Sequence, residues 1–158
     1  MSGFPRWQAA FHEDSRLGLK LGAFPTTFLV KEFSKAAVLD AIKQGRMCCS
    51  RDDGSSWPQI DDFEVLGSEG GRAQMSETLT TAVFPTIQFR ISYKGDERVP
   101  MTVYFLREGT VLQTLQGETP LECELLDREA PAGRMTYYRL VDSQKHLTSN
   151  PIFVRFKP

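Results

Sequence analysis

The chain has 158 residues, of which 41% are hydrophobic and 25% charged, as in an ordinary globular domain. Its formal net charge of −1, from 19 basic and 20 acidic residues, gives no electrostatic attraction for nucleic acid or an anionic membrane. The sequence has no apolar stretch near the roughly 20 residues of a transmembrane helix, and its first residues lack an apolar h-region, so we expect no signal peptide. Three cysteines are an odd and low number, which does not suit a disulfide framework. We therefore expect a cytoplasmic protein without nucleic-acid or membrane partners.

The chain divides into an irregular start and a patterned remainder. Residues 1–22 include Trp7 and Phe11 but show no period of 2 or 3.6, so we predict an N-terminal arm or linker. Residues 23–158 are predicted to form a helix plus β-sandwich domain. Its first strand is expected at Thr26 to Lys31, which is β-branched and aromatic.

A helix is predicted over residues 34–44. Ser34 is a good N-cap, because its hydroxyl can accept a hydrogen bond from a first-turn N–H, and Gly45 can adopt the left-handed conformation that ends a helix. The apolar stripe of Val38, Leu39 and Ile42 is expected to pack onto the sheet. A short strand should follow at residues 46–50.

The remaining chain reads as loops and short strands. Loops are expected at residues 51–62 and 67–78, which are rich in Asp, Ser and Gly. The strand at residues 101–107 is apolar on both faces, and Glu108-Gly109 predicts a tight turn after it. Seven strands at this spacing favour a mainly β fold, an immunoglobulin-like antiparallel β-sandwich with one short helix. They are predicted at residues 63–66, 87–93, 101–107, 111–115, 121–125, 135–141 and 152–156.

Few residues are candidates for chemistry. His12, Glu13 and Asp14 are the one compact cluster of possible metal ligands, but adjacent residues rarely point at one ion, so a solvated turn is favoured. The other histidine, His146, lies in a predicted loop and is expected to be exposed. Four carboxylates between residues 52 and 62 lack the order of a calcium loop, which favours a solvated acidic loop over a cation site. They are Asp52, Asp53, Asp61 and Asp62.

The cysteines and tryptophans are expected to serve packing or recognition. Cys48 and Cys49 are adjacent on a predicted strand, so one should face the core and the other should face outward. Cys123 alternates with glutamates and is expected to be a small core residue. Possible interaction residues are Trp7, Phe11 and Trp57, because exposed aromatic residues are enriched at interfaces.

The order of the elements resembles a known family. A strand, a capped helix ending in A-V-L-D-A-I-K-Q-G-R, an F-E-V strand, a V-Y-F-L-R-E-G-T-V-L hairpin and the final S-N-P-I-F-V occur in sequence. This order, over roughly residues 24–156, is similar to the C-terminal portion of PHP-type (polymerase and histidinol phosphatase) metal-dependent hydrolases. The family's early H-x-H and late G-x-D-x-H motifs are absent, so no catalytic or metal-ligand residue is assigned here.

The resemblance implies a non-catalytic accessory domain, with divalent metals expected only in a separate catalytic domain. Its expected partner is that PHP-type catalytic domain, in cis or as another chain, and the isolated chain is a candidate homodimer. One alternative is a stand-alone β-sandwich that binds carbohydrate or peptide through Trp57 and the acidic loop. A further alternative is a small hydrolase using His12, Glu13 and Asp14.

Overall fold

The computed structural model describes residues 26–50, 57–93, 95, 97–144 and 146–157. These residues form a mainly β structure of two sheets with one α-helix, which confirms the predicted mainly β sandwich, whereas its immunoglobulin-like type stays a prediction. The described elements, in chain order, are β1 (Thr26–Phe28), α1 (Lys35–Gln44), β2 (Met47–Ser50), β3 (Pro58–Leu66), a short 3₁₀-helix (Ser68–Gly70), β4 (Arg72–Gln74), β5 (Thr78–Thr81), β6 (Thr86–Tyr93), β7 (Pro100–Arg107), β8 (Thr110–Glu118), β9 (Leu121–Leu126), β10 (Met135–Asp142), β11 (Leu147–Ser149) and β12 (Ile152–Phe156).

The strands form two sheets that pack as a β-sandwich. The larger sheet has eight strands in the order β1-β2-β11-β10-β12-β5, and β7 pairs with both β10 and β8. The smaller sheet has four strands in the order β4-β3-β6-β9. The described strand pairs are antiparallel apart from β5 and β12, which run parallel.

The core lies between the sheets and is formed by alternate residues of each strand, as the period of 2 in the sequence requires. Phe105 and Tyr138, from neighbouring strands of the larger sheet, stack with their ring centroids 5.5 Å apart. Cys48 is buried and Cys49 is exposed, as predicted, and Cys123 packs partly buried against the core. The other buried members are Ile60, Phe63, Val65, Ala73, Met75, Leu79, Ile87, Phe89, Ile91, Met101, Val103, Leu140, Leu147, Ile152 and Val154.

The structure corrects the loop predicted at residues 51–62. Residues 51–56 lie outside the described residues, but Pro58–Leu66 is one strand, so the loop prediction is wrong from Pro58 onward. Ile60 points into the core, and a β-bulge between Ile60 and Asp62 accommodates two consecutive aspartates. The polar composition of residues 58–62 predicted a loop, although the few side chains of this segment that point into the core are apolar.

Three short strands were also not predicted. β4 and β5 lie within or directly after the glycine-rich stretch read as a loop, and β11 lies within the stretch read as the loop containing His146. Each has three or four residues, too few to show an alternating pattern. The two-residue turn at Glu108-Gly109 is confirmed, and both residues have positive φ, 51° and 82°, as a tight hairpin turn requires.

Helix α1 is confirmed, with Ser34 accepting a hydrogen bond from Ala37 N at 3.1 Å and Gly45 in the left-handed conformation at φ 68°. The predicted packing of its apolar stripe is wrong. Leu39 is 47% exposed and Ile42 is 46% exposed, and Val38 is half-buried, whereas Ala41 is fully buried at 0% exposure. The helix turns Ala41 inward, where a small side chain lets it approach the domain closely, and Leu39 and Ile42 are left largely outside.

Candidate interaction surfaces

The residues singled out from the sequence fall mostly outside the described part of the chain. This applies to Trp7 and Phe11, to the His12 cluster with Glu13 and Asp14, and to Asp52 and Asp53. Trp57 is described and half-buried, directly before β3. The described structure therefore does not bring those residues together. Other residues form the candidate surfaces of the described part of the chain.

The first candidate surface lies on helix α1. We name Phe33, Leu39 and Ile42 the helix surface. Phe33 directly precedes the N-cap and is 99% exposed, so it makes none of the packing contact with the first helical turn that an apolar residue at this position often makes. Leu39 and Ile42 lie three residues apart on the same side of the helix and remain about half exposed. The sequence shows the apolar stripe on this helix, but it does not show whether the stripe faces the core or the solvent.

The C-terminal end of the helix is fixed firmly to the sandwich. The Gly45 carbonyl accepts hydrogen bonds from Ser76 Oγ at 2.8 Å and from Asn150 Nδ2 at 2.6 Å. A Cβ at Gly45 would lie 2.4 Å from Ser76 Oγ, so the contact requires glycine as well as the left-handed backbone. Arg46 reaches back to Asp40 at 2.5 Å. The helix surface is therefore presented by a rigid element.

The second candidate surface is the outer side of the larger sheet. We name Tyr104, Leu106, Tyr137, Arg139, Val141 and Phe153 the aromatic face. Their neighbours along the strands are core residues, so these side chains point outward, and all six are half-buried. Strand pairing places Tyr104 opposite Val141, Leu106 opposite Arg139 and Tyr137 opposite Phe153. The predicted strand at residues 101–107 was already apolar on both faces, which was the available signal for this surface.

The outer side of the smaller sheet has the opposite character. We name Asp62, Glu64, Glu122 and Glu124 the acidic face, with Arg90 among them. Arg90 forms ion pairs with Asp61 and Glu122, and Gln88 donates to Glu124 at 2.7 Å. This is the hydrated, charge-laced side expected of an antiparallel sheet that faces water. Asp61 also accepts from Ser92 Oγ at 2.9 Å, so its carboxylate is engaged within the sheet.

A buried polar cluster joins the two sheets. Asp127, directly after β9, accepts from Tyr138 Oη at 2.8 Å and from Arg107 Nη1 at 2.8 and 2.9 Å. Burial raises the pKa of Tyr138 above its ordinary range, and the hydrogen bond to Asp127 adds to that shift. Asp127 also accepts from the Glu129 backbone N–H at 3.0 Å. Asp127 and Tyr138 are buried and the Arg107 side chain is 18% exposed, so the cluster links the two sheets at the margin of the core.

A cleft of about 700 Å³ lies at one end of the sandwich and is lined in part by Tyr93, Met101, Glu118, Asp142 and His146. His146 is half-buried, not exposed as predicted. The Asp142 carboxylate is used by two backbone N–H groups, those of His146 at 2.5 Å and Leu147 at 3.1 Å. It therefore fixes the turn between β10 and β11.

The thiols and possible metal ligands show no catalytic arrangement that we can build from the described residues. Burial raises the pKa of the Cys48 thiol, which favours the protonated, unreactive form. Burial likewise raises the pKa of Cys123. Within the described ranges, no three His, Cys, Asp or Glu side chains are grouped so as to hold a metal ion.

Comparison of the chain with protein-family models, with curated proteins and with solved structures gives no match. Among the described helices, none has the length and apolar character needed to cross a membrane.

Proposed function

We propose that this chain is a non-catalytic accessory domain of a PHP-type metal-dependent hydrolase, which docks on the catalytic domain through the helix surface. The observation that carries the proposal is the exposure of Leu39 and Ile42 on one side of a helix whose C-terminal end is fixed to the sandwich, with the exposed Phe33 directly before the N-cap. The order of helix, strands and final S-N-P-I-F-V segment supports the choice of family as a resemblance.

The physical argument is the cost of leaving these side chains in water. Complete burial of a large apolar side chain is worth about 1.5–3 kcal/mol. Phe33, at 99% exposure, has nearly all of that still to gain, and Leu39 and Ile42, at 47% and 46%, have about half. Exposed apolar side chains grouped on one element and just before it mark an interaction surface, because covering them removes apolar area from water.

The proposal assigns docking, not chemistry, to this chain. Divalent metals and the hydrolytic groups would belong to the catalytic domain, in cis or as a separate chain. Residues 1–22 directly precede the first part of the domain, and we infer that Trp7 and Phe11 extend the docking surface. Trp57, which is half-buried, is the third residue that we assign to this docking surface.

The test is binding of the purified chain to a PHP-type catalytic domain encoded beside it, measured by calorimetry. The variant Phe33→Ser/Leu39→Ser/Ile42→Ser should weaken binding at least about tenfold, since each tenfold step is about 1.4 kcal/mol. Val83→Ser is the matched control, because Val83 is an apolar residue of 48% exposure that lies outside the helix. Equal affinity of the triple variant and the control would refute docking through the helix surface.

A second candidate function is the stand-alone binding module for carbohydrate or peptide. The aromatic face favours it, because half-buried aromatic residues cover an outer sheet side that carries no carboxylate at the outward positions of β7, β10 and β12.

A further inference from the structure

The two outer sides of the sandwich differ in chemistry. The acidic face carries Asp and Glu beside glutamines, whereas the outward positions of β7, β10 and β12 carry aromatic, aliphatic, threonine, methionine and arginine side chains. Protein interfaces are enriched in Tyr, Phe, Met and Arg and depleted in Asp, Glu and Lys relative to the remaining surface. The aromatic face therefore has the composition of an interface, and the acidic face has that of a solvated surface.

Arg139 lies at the centre of the aromatic face and is held in place. Its Nε donates to the Ser149 carbonyl at 3.1 Å, which fixes the guanidinium beside Leu106 and Tyr137. None of the ion pairs among the described residues involves Arg139. The two terminal nitrogens of the Arg139 guanidinium are therefore held in a fixed orientation between apolar side chains. Among the described residues, no carboxylate pairs with them. Such a guanidinium fork binds carboxylates with two parallel hydrogen bonds.

The ring geometry decides between sugar and peptide. A sugar platform needs rings that lie flat and coplanar with the surface, so that each can stack on one sugar. Tyr137 and Phe153 have centroids 6.4 Å apart and planes inclined by 60°, so they pack against each other in a tilted pair. A tilted pair does not present two coplanar rings to a sugar, and it gives an uneven apolar surface that suits the side chains of a peptide better.

Charge complementarity also selects the occupant. The charged outward residues of the three central strands are Arg139 and Arg155, so a second copy stacked face to face would bring arginines against arginines. Stacking onto the acidic face of another copy would be a head-to-tail contact that continues without closing. A segment of another protein that carries its own carboxylate avoids both the repulsion between arginines and the open head-to-tail contact.

We propose that the aromatic face binds an extended protein segment in which an Asp or Glu, flanked by aliphatic or aromatic side chains, pairs with Arg139. The carboxylate takes the free fork of the guanidinium, and the flanking side chains pack on Tyr104, Tyr137 and Phe153. This site is separate from the helix surface and does not depend on the docking proposal.

The experiment is selection of peptides from a random displayed library on the intact chain. Peptides that survive are synthesised with a fluorophore, and their affinity is measured by anisotropy. We expect enrichment of Asp or Glu next to apolar residues, and a loss of affinity of about tenfold or more with Arg139→Gln, the usual effect of removing an interface anchor. Arg139→Lys should rescue only part, because an ammonium cannot bind in a bidentate manner.

Controls separate this site from the other surfaces and from loss of folding. Arg90→Gln removes a matched cation on the acidic face, and Leu39→Ser/Ile42→Ser changes the helix surface; both should leave affinity within about twofold. Val141→Glu adds a repelling carboxylate beside Tyr104 and should weaken binding even if Arg139→Gln fails to fold. Three results would overturn the proposal: no enriched peptides, enrichment without acidic residues, or unchanged binding by Val141→Glu. Binding of neutral oligosaccharides that is abolished by Tyr137→Ser would likewise overturn it.

Discussion

Removing the carboxylate of Asp127 should be among the most damaging single changes in the sandwich. Asp127 is buried and receives hydrogen bonds from Tyr138 Oη at 2.8 Å and Arg107 Nη1 at 2.8 and 2.9 Å. Asp127→Ala leaves the guanidinium of Arg107 without its main counter-charge, since the more distant Glu129 carboxylate, at 3.9 Å, is 85% exposed. It also leaves the buried Tyr138 hydroxyl without an acceptor.

The size of the loss follows from what remains unpaired. Removing one member of a fully buried ion pair costs about 3–5 kcal/mol, and because the Arg107 side chain is 18% exposed, the loss here should lie toward the lower end of that range. Tyr138→Phe removes a donor to a charged group and should cost about 1.5–3 kcal/mol, while the Arg107–Asp127 pair survives. In the double variant the tyrosine hydroxyl is absent, so no orphan donor is created there. The double variant should therefore be more stable than the sum of the single losses predicts.

Urea unfolding of the four proteins, followed by fluorescence or circular dichroism, measures these free energies. Thr136→Val is a control of similar burial in β10, since its hydroxyl has no hydrogen-bond partner among the described residues and its removal should cost little. A loss below about 1 kcal/mol for Asp127→Ala would refute the reasoning, because such a cost is typical of an ordinary neutral hydrogen bond. Strict additivity in the double variant would refute the claim that the two residues act through one hydrogen bond.

Two further predictions concern pH and the helix. The pKa of Tyr138 is raised above its ordinary value of 10.0, so above that pH the unfolded chain loses a proton that the folded chain keeps. The free energy of unfolding should then fall by up to about 1.4 kcal/mol per pH unit, and Tyr138→Phe should flatten this part of a stability–pH profile. In α1, Ser34→Ala should cost about 1 kcal/mol, whereas Leu39→Ala should be worth less than about 1 kcal/mol in denaturant melts of the isolated chain. A larger effect of Leu39→Ala would place that side chain against the domain after all.

The sequence predicted those elements whose signals are local. Helix α1 was readable because Ser34, a run of helix-forming residues and Gly45 each act within one turn. Strands such as β6 were readable because alternation of Ile87, Phe89 and Ile91 with polar residues reports a sheet with one face in water. The class of fold followed from the number and spacing of such strands.

The sequence could not predict which side of the helix faces the core or which strands pair with each other. The stripe of Leu39 and Ile42 looks the same whether it faces the core or solvent, and the inward choice of Ala41 depends on how closely the helix approaches the domain. The strands β4, β5 and β11 exist because longer neighbours offer them hydrogen-bonding edges, not because of their own pattern. The aromatic face needed the register that sets Tyr137 beside Phe153, residues that are sixteen positions apart in sequence.

The arrangement of charged side chains also favours a binding site on the outer side of the larger sheet, not between the sheets. The buried carboxylates of Asp127 and Asp142 are each occupied by two or more donors, so both are committed to holding strands and turns in place. Arg139 is different: it is half-buried, oriented by Ser149, and makes no ion pair among the described residues. A guanidinium in that state gains most from a carboxylate brought by another molecule, because the cost of orienting the side chain has already been met by the fold.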